Sequence, residues 1–79
     1  MKFKVYCPSL SNENSAVEFT AITVNGASYA WCWECFRQDP SFAATIDGRE
    51  IIVIDAHGGK HKVMVDVRKQ PEFIFKEKP

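Results

Sequence analysis

Alternating apolar and polar residues open the chain and predict its first strand. Phe3, Val5 and Cys7 alternate with polar neighbours, which is the period-two pattern of a strand with one buried face. The polar run over residues 9–15 contains two asparagines and predicts a loop. Residues 16–24 are rich in β-forming side chains and predict a second strand. The side chains expected on one side of this second strand are Val17, Phe19 and Ala21.

Residues 25–40 decide the fold class, because their pattern fits two incompatible elements. As a helix, they place an apolar stripe on one face at i, i+3, i+4 and i+7 spacing. The expected stripe consists of Tyr29, Cys32, Trp33 and Phe36. As a strand, they would present aromatic side chains on both faces, since Glu34 is the one charged residue between 26 and 36. We therefore expect a helix over about 26–38, with Asn25 or Ser28 as its N-cap.

Two β-rich runs on either side of Gly58-Gly59 predict a β-hairpin. Two glycines can adopt positive φ at both positions of a two-residue turn, and this turn sets the register of the strands. The cross-strand pairs expected in that register are Ile54 with Val63, Ile52 with Val65, and Asp55 with Lys62. Farther along, Arg49 would oppose Arg68, so the ladder is expected to fray or bulge near Gly48.

The order of elements predicts a single α+β domain over residues 1–79. Its expected architecture is a small antiparallel-rich sheet of about five strands with one helix packed on it, because a small sheet needs a second layer. A short strand is expected near 43–46. After Pro71 interrupts pairing, a last strand is expected over 72–76 with Phe73 and Phe75 inward. The alternative, if residues 25–40 are extended, is a small all-β barrel.

The composition excludes a disordered charged tail. Ten basic and ten acidic residues give a formal net charge of zero, and 46% of residues are hydrophobic. This balance also argues against a chain that mainly coats nucleic acid or an anionic membrane. Charge is nevertheless segregated, since residues 10–56 hold seven acids and two bases, whereas residues 57–79 hold six bases and three acids. If the two ends of the chain fold beside each other, the protein has a basic side and an acidic side.

The cysteines and the apolar runs bear on the compartment. No apolar stretch is long enough for a secretory signal or a membrane span. Three cysteines without framework spacing are a poor match to a secreted disulfide scaffold. The chain is therefore expected to be cytoplasmic and not to associate with membranes.

The cysteine spacing raises the question of a metal or redox site. Cys32 and Cys35 have C-x-x-C spacing, and Cys7, His57 and His61 could complete a tetrahedral zinc set. Structural zinc sites usually pair two such short motifs, and this chain has one. Cysteines in the middle of a helix also lack the positive helix end that lowers a thiol pKa. We expect buried structural cysteines and no metal or cofactor, with a small zinc-binding domain as an alternative.

The chain contains no recognisable catalytic motif. A cysteine with His57 or His61 and an orienting Asp55 or Asp66 can be drawn as a catalytic set, but no spacing demands it. There is no Gly-x-Ser-x-Gly elbow, and the Gly58-Gly59 segment joins two strands instead of opening a helix that could cradle phosphate. A shaped, water-excluding pocket is also difficult to build in 79 residues. No enzymatic activity is expected.

The remaining function class is binding to another macromolecule, most readily a protein. Tryptophan, tyrosine and arginine dominate interface hot spots. On the predicted helix Trp31 lies off the apolar stripe, where it either is a partly exposed contact in acidic surroundings or covers the edge of the core. The candidate partner-binding residues are Trp31, Glu34, Arg37 and Asp39.

Nucleic acid is the competing partner. The C-terminal third is basic, and aromatic residues between bases can stack on single strands. The residues of this alternative are Lys60, Lys62, Arg68, Lys69, Lys76 and Lys78, with Phe73 and Phe75 among them. These two phenylalanines are also needed on the core face, which weakens the alternative.

No residue pattern marks a particular family. In size and in its single small domain, the chain resembles the accessory proteins that bacteriophages and other mobile elements encode. Many of those proteins bind a host enzyme or a defence complex. The resemblance implies a stoichiometric modulator or inhibitor and carries no site residues with it.

Overall fold

The elements of the protein are defined in a computed structural model, which describes residues 1–68 and 72–77. Within these residues five strands and two α-helices follow one another along the chain. They are β1 (Lys2–Tyr6), β2 (Val17–Thr20), α1 (Val24–Gln38), α2 (Phe42–Ile46), β3 (Arg49–Ile54), β4 (Lys60–Val67) and β5 (Phe73–Glu77). A short 3₁₀ turn, Glu13–Ser15, lies between β1 and β2. Pro71, Lys69 and Lys78 lie outside the described residues.

The five strands form one open antiparallel sheet in the order β2-β1-β3-β4-β5. β2 and β3 pair with opposite edges of β1, and α1 and α2 lie in the connection between them. α1 packs across one face of the sheet, with contacts to β1, β2, β3 and β5. The α+β prediction is therefore confirmed. The all-β barrel is wrong, because residues 24–38 are helical and the sheet does not close.

The core lies between α1 and the face of the sheet that it covers. Phe3 and Val5 on β1 and Cys7 directly after it are buried, as their alternation predicts. The other buried strand residues on this face are Ile51, Val53, Val63, Val65 and Phe73. Phe75 is partly buried and packs against the same cluster, so both phenylalanines of β5 face inward as predicted. Each fully buried aliphatic side chain contributes about 1.5–3 kcal/mol, so the sheet depends on this layer.

α1 begins two residues earlier than the predicted cap Asn25 allows and five residues earlier than Ser28 allows. Thr23 is the N-cap, and its Oγ1 accepts a hydrogen bond from the Gly26 N–H at 2.9 Å. Asn25 and Ser28 lie inside the helix, so both predicted caps are wrong. Ser28 is instead buried and donates its hydroxyl to the Val24 carbonyl oxygen at 2.9 Å.

The buried stripe of α1 differs from the predicted stripe. It consists of Ala27, Ser28, Trp31 and Cys32. Two of these side chains are small and allow the helix backbone to approach the sheet closely. Tyr29 is 51% exposed, so its predicted place in the core is wrong. Trp33 and Phe36 are only partly buried and pack against the core from one shoulder of the helix.

The strand predicted near 43–46 is wrong, because this segment is the helix α2. Its sequence, Phe-Ala-Ala-Thr-Ile, contains two alanines, which favour helix over strand. Ala43 and Ile46 are buried, and α2 contacts β4 and α1. α2 thereby adds a second helical wall that the sequence pattern does not indicate. Neither helix of the described chain is long and apolar enough to cross a membrane.

The hairpin between β3 and β4 forms, but its turn is not the predicted two-glycine turn. The Asp55 N–H donates to the Gly59 carbonyl at 2.9 Å, and the Gly58 N–H donates to the Asp55 carbonyl at 3.0 Å. Gly58 has a φ of +83°, and Gly59 does not have positive φ. This is a three-residue loop built on a type I turn with a glycine in the left-handed region. Asp55 fixes it by accepting the N–H groups of His57 and Gly59 on Oδ1.

The longer loop shifts the register by three positions and reverses the faces of β3. The observed pairs include Ile51 with Val63, Ile52 with Lys62 and Ile54 with Lys60, so the three predicted pairs are wrong. An odd shift exchanges the two faces of a strand. Ile51 and Val53 therefore face the core in place of Ile52 and Ile54. Arg49 opposes Val65, so the predicted clash with Arg68 does not arise.

Candidate functional site

Trp31 is the first of the four predicted binding residues, and the structure buries it, so it is not the partly exposed contact. Its side chain is 7% exposed and belongs to the core. The ring lies edge-on to Phe42 of α2, with ring centroids 5.4 Å apart. α2 therefore covers the flank of α1 on which Trp31 lies. A residue buried in this way offers a partner almost no surface.

Glu34 and Arg37 lie one helical turn apart on the outer side of α1 and form an ion pair. Arg37 Nη2 donates to both carboxylate oxygens of Glu34, at 2.6 and 2.7 Å. Gln38 Nε2 adds a hydrogen bond to Glu34 Oε2 at 2.9 Å. The hydrogen bonds from Arg37 and Gln38 lower the pKa of the Glu34 carboxyl, and the carboxylate raises the pKa of Arg37. Such an exposed pair adds little stability, but it fixes charged groups on the helix surface.

Asp39 has a structural task at the end of α1. Its N–H donates to the Cys35 carbonyl at 3.0 Å, which closes the last turn of the helix. Its Oδ1 accepts from the Ser41 N–H at 3.1 Å and from the Ser41 hydroxyl at 2.8 Å. Asp39 therefore holds the corner between the two helices, and its carboxylate is partly occupied by that role.

A groove of about 360 Å³ lies beside the Glu34–Arg37 pair. Its lining residues are Ala30, Trp33, Glu34, Phe36 and Arg37. Trp33 is edge-on to Phe36 with centroids 5.7 Å apart, and both rings contact Phe73 of β5. Tyr29 continues the aromatic surface at 5.9 Å from Trp33. The five lining residues and Tyr29 together are called the α1 groove.

The α1 groove contains residues that the sequence interpretation assigned to the core. One stripe of a 15-residue helix cannot bury two tryptophans, a tyrosine and a phenylalanine together. The sequence signal for this exposed surface was that the helix has more large aromatic residues than one buried stripe can hold. Two of the four predicted residues, Glu34 and Arg37, lie at this groove, whereas Trp31 and Asp39 do not line it.

His61 forms a second cluster, which links three parts of the sheet. Its Nε2 lies 2.9 Å from Asp55 Oδ2 in the hairpin loop, and its Nδ1 lies 2.7 Å from Glu77 Oε2 on β5. Both ring nitrogens donate only when the imidazole is protonated. The hydrogen bonds to Asp55 and Glu77 raise the pKa of His61, and the bond from His61 lowers the pKa of Asp55. The pairing of Asp55 with His61 agrees with one of the drawn catalytic sets, but both nitrogens are occupied by carboxylates.

This cluster predicts pH-dependent stability. Because the pKa of His61 is raised in the folded state, its contribution is complete below the ordinary value of 6.5 and is lost as pH rises through the folded pKa. Because the pKa of Asp55 is lowered, its contribution is complete above 3.8 and is lost as pH falls through the folded pKa. The melting temperature should therefore decrease by a few degrees from about pH 6 towards pH 9.

His61→Gln tests this assignment, since glutamine does not titrate. The variant should lose most of the slope of melting temperature against pH between about 6 and 9. His57→Gln is the matched control, because His57 contributes its backbone N–H to the loop while its side chain is in no ion pair within the described residues. A slope that survives in His61→Gln and disappears in His57→Gln would contradict the cluster's role.

The three cysteines are free thiols, and two of them, Cys32 and Cys35, have a raised pKa. Burial raises the pKa of Cys32, with further effects from Cys35 and Cys7. Burial, and then the nearby Glu34 carboxylate, raise the pKa of Cys35. Metal ligation and nucleophilic attack both require the thiolate. Among residues 1–68 and 72–77, no group of three or more histidine, cysteine or acidic residues is arranged to hold a metal ion.

Lys60, Lys62 and Lys76, the strand lysines of the nucleic-acid alternative that the structure describes, lie on the side of the sheet opposite its two phenylalanines. By the strand register, Lys62 and Lys76 point away from α1, whereas Phe73 and Phe75 point towards it. The predicted interleaving of bases with stacking rings therefore does not occur on one surface.

Comparison with known proteins gives no match to a family model, a curated protein or a solved structure. The function is therefore inferred from the residues of this chain.

Proposed function

We propose that the protein is a non-enzymatic binding protein that recognises another protein through the α1 groove. The observation that carries the proposal is an aromatic groove of about 360 Å³ with a preformed Glu34–Arg37 pair on its rim. Large rigid aromatic side chains and arginine are the residue types that dominate binding energy at interfaces. Here they are concentrated on one exposed side of one helix.

The chemistry of the groove indicates what the partner presents. An apolar side chain from the partner fits against Trp33 and Phe36, because inserting it removes apolar surface from water on both sides. Arg37 uses Nη2 for Glu34 and retains further guanidinium donors, which suit a carboxylate or a backbone carbonyl on the partner. Tyr29 supplies contact area at the edge, and its hydroxyl can remain hydrated.

Binding fits the remaining groups better than catalysis does. Burial raises the pKa of the Cys32 and Cys35 thiols, and both ring nitrogens of His61 are engaged by carboxylates. Three free cysteines also suit a reducing compartment, so we place the protein in the cytoplasm. In this role it occupies a surface of its partner stoichiometrically, as a modulator or an inhibitor.

The test is affinity capture from the native host, with groove variants and matched controls. Tyr29→Ala and Arg37→Glu change exposed side chains and should leave the fold intact. Each should weaken the captured complex by about thirtyfold or more, the effect of losing a hot spot of about 2 kcal/mol. Ile22→Ala is the control for the tyrosine because Ile22 is 88% exposed and does not line the groove. Arg68→Glu is the control for the charge reversal.

Two results would contradict the proposal. One is a partner that binds both groove variants as well as it binds the unmodified protein but fails to bind a control variant. The other is a complex that dissociates at moderate salt and contains nucleic acid, because phosphate-dominated binding weakens steeply with ionic strength.

A further inference from the structure

The face of the sheet opposite α1 carries a concentration of lysines. Both helices pack on the other face, where their buried residues join the core. The strand register places five lysines on the opposite side, together with three acids. The lysines are Lys2, Lys4, Lys60, Lys62 and Lys76, and the acids are Glu18, Glu50 and Asp66. We name this surface the lysine face.

Apolar side chains occupy the middle of the lysine face. Ile52 and Ile54 lie on the central strand β3, with Tyr6 opposite Ile52 and Met64 on the neighbouring strand. Ile52 is 7% exposed, and the other three are partly exposed. The lysines come from the strands on both sides of β3, so the surface is an apolar centre with a basic border.

Part of the positive charge on this face is not compensated. Lys60 pairs with Glu13 of the β1–β2 connection at 2.8 Å, and Lys2 lies 3.8 Å from Glu18. Lys4, Lys62 and Lys76 form no ion pair with any residue of the described chain. They belong to three different strands and are all exposed.

We propose that the lysine face is a second docking surface, separate from the α1 groove, and that it binds an acidic protein segment with aliphatic side chains. Carboxylates of the segment pair with Lys4, Lys62 and Lys76, and its aliphatic side chains cover Ile54 and Met64. Five strands about 4.8 Å apart give a face about 20 Å wide, which an extended segment of about six residues crosses. This inference does not depend on what binds the α1 groove.

Charge and residue type distinguish this occupant from the others. A second copy of the chain docked through the same face would bring lysines against lysines, which costs free energy. A single-stranded nucleic acid gains much of its affinity from aromatic stacking, and this face has Tyr6 alone for that purpose, since Phe73 and Phe75 face α1. Aliphatic side chains bordered by lysines that form no ion pair within the described residues match an acidic, partly apolar peptide better.

The test is an NMR titration of the intact chain with a synthetic peptide of about ten residues in which glutamates and leucines are interspersed. Saturable amide shifts are expected on β1, β3, β4 and β5 and not on α1, and the affinity should fall as salt is added. Lys62→Glu and Lys4→Glu should each weaken binding by about fivefold, because each replaces an attraction with a repulsion of similar size. Ile22→Glu, at an 88% exposed position that belongs to neither surface, should leave the affinity unchanged.

Three matched measurements have stated expected results, and the opposite result in any of them contradicts the proposal. A peptide with lysine in place of glutamate must not bind, and a peptide with serine in place of leucine must bind more weakly. Single-stranded DNA of about the same charge must bind less tightly than the acidic peptide. Tighter DNA binding on this face makes it a nucleic-acid surface, and the absence of a saturable shift with the acidic peptide removes the site.

Discussion

Trp31→Ala is expected to lower the free energy of unfolding by about 3–5 kcal/mol, the usual cost of truncating a buried tryptophan. Trp31 is 7% exposed, belongs to the core and contacts Phe42 of α2, so its removal leaves a cavity where α1 and α2 meet. A domain of this size has a total stability of about 4–12 kcal/mol. The variant should therefore be largely unfolded or close to it, as equilibrium urea denaturation would measure.

Tyr29→Ala is the matched control on the same helix. Its ring is 51% exposed, so truncation should change the free energy of unfolding by about 1 kcal/mol or less. The two variants thus separate stability from binding, since Trp31→Ala should lose the fold and Tyr29→Ala should lose the partner. A stable, folded Trp31→Ala protein would mean that α2 does not cover this side chain.

The fold class could be predicted because it depends on local patterns. Alternation at Phe3, Val5 and Cys7 indicates one buried face whatever the strand pairs with, and the same holds for Phe73 and Phe75. The segment 25–40 lacks a polar alternate face, which favours a helix over a strand. These patterns are properties of short stretches, so tertiary contacts had little opportunity to override them.

The details that depend on single side chains or on distant segments could not be predicted. The hairpin register is set by Asp55, whose carboxylate accepts two loop N–H groups and selects a three-residue loop over the two-glycine turn. The burial of Trp31 is set by α2, a five-residue helix too short to give a periodic signal. His61 contacts Glu77, which lies sixteen residues farther along the chain. The two residues meet only because β4 and β5 pair.

The candidate site likewise has one part that the sequence could predict and one part that it could not. Glu34 and Arg37 are three residues apart on a helix, a spacing that allows an ion pair on its surface. The groove beside them depends on which aromatic residues the sheet leaves uncovered. In the structure Ala27 and Ser28 lie on the buried stripe of α1, and Trp33 lies beside it against Phe73 of β5.

The two proposed surfaces lie on opposite sides of the sheet and share no residue. A partner in the α1 groove therefore leaves Lys4, Lys62 and Lys76 accessible, and an acidic segment on the lysine face leaves Arg37 accessible. This arrangement allows the protein to hold two partners at once, or two parts of one partner that wrap around its edges. Variants of the α1 groove and variants of the lysine face distinguish these cases. A single partner that wraps around the protein would lose affinity in both sets of variants, whereas each of two separate partners would lose affinity in one set only.

Ile51→Ala is expected to lower the free energy of unfolding by about 3–4 kcal/mol, whereas Ile54→Ala should cost about 1 kcal/mol. Ile51 is fully buried opposite Val63 under the helical layer, and Ile54 is partly exposed opposite Lys60 on the lysine face. The chemical change is identical in the two variants, so the difference reports which face of β3 is inside. Equilibrium urea unfolding of both proteins measures this difference in the free energy of unfolding, provided that the two variants have the same m-value.

The order of these two costs tests the hairpin register directly. In a register set by a two-residue Gly58-Gly59 turn, Ile54 would face Val63 in the core and Ile51 would lie outside. Ile54→Ala would then be the more damaging change by about 2 kcal/mol. Asp55→Ala adds an independent check, because the removal of the loop acceptor should destabilise the hairpin only if Asp55 holds the N–H groups of His57 and Gly59. If Ile51→Ala proves the milder change, the lysine face is assigned to the wrong side of β3, and Ile52 and Ile54 belong to the core instead.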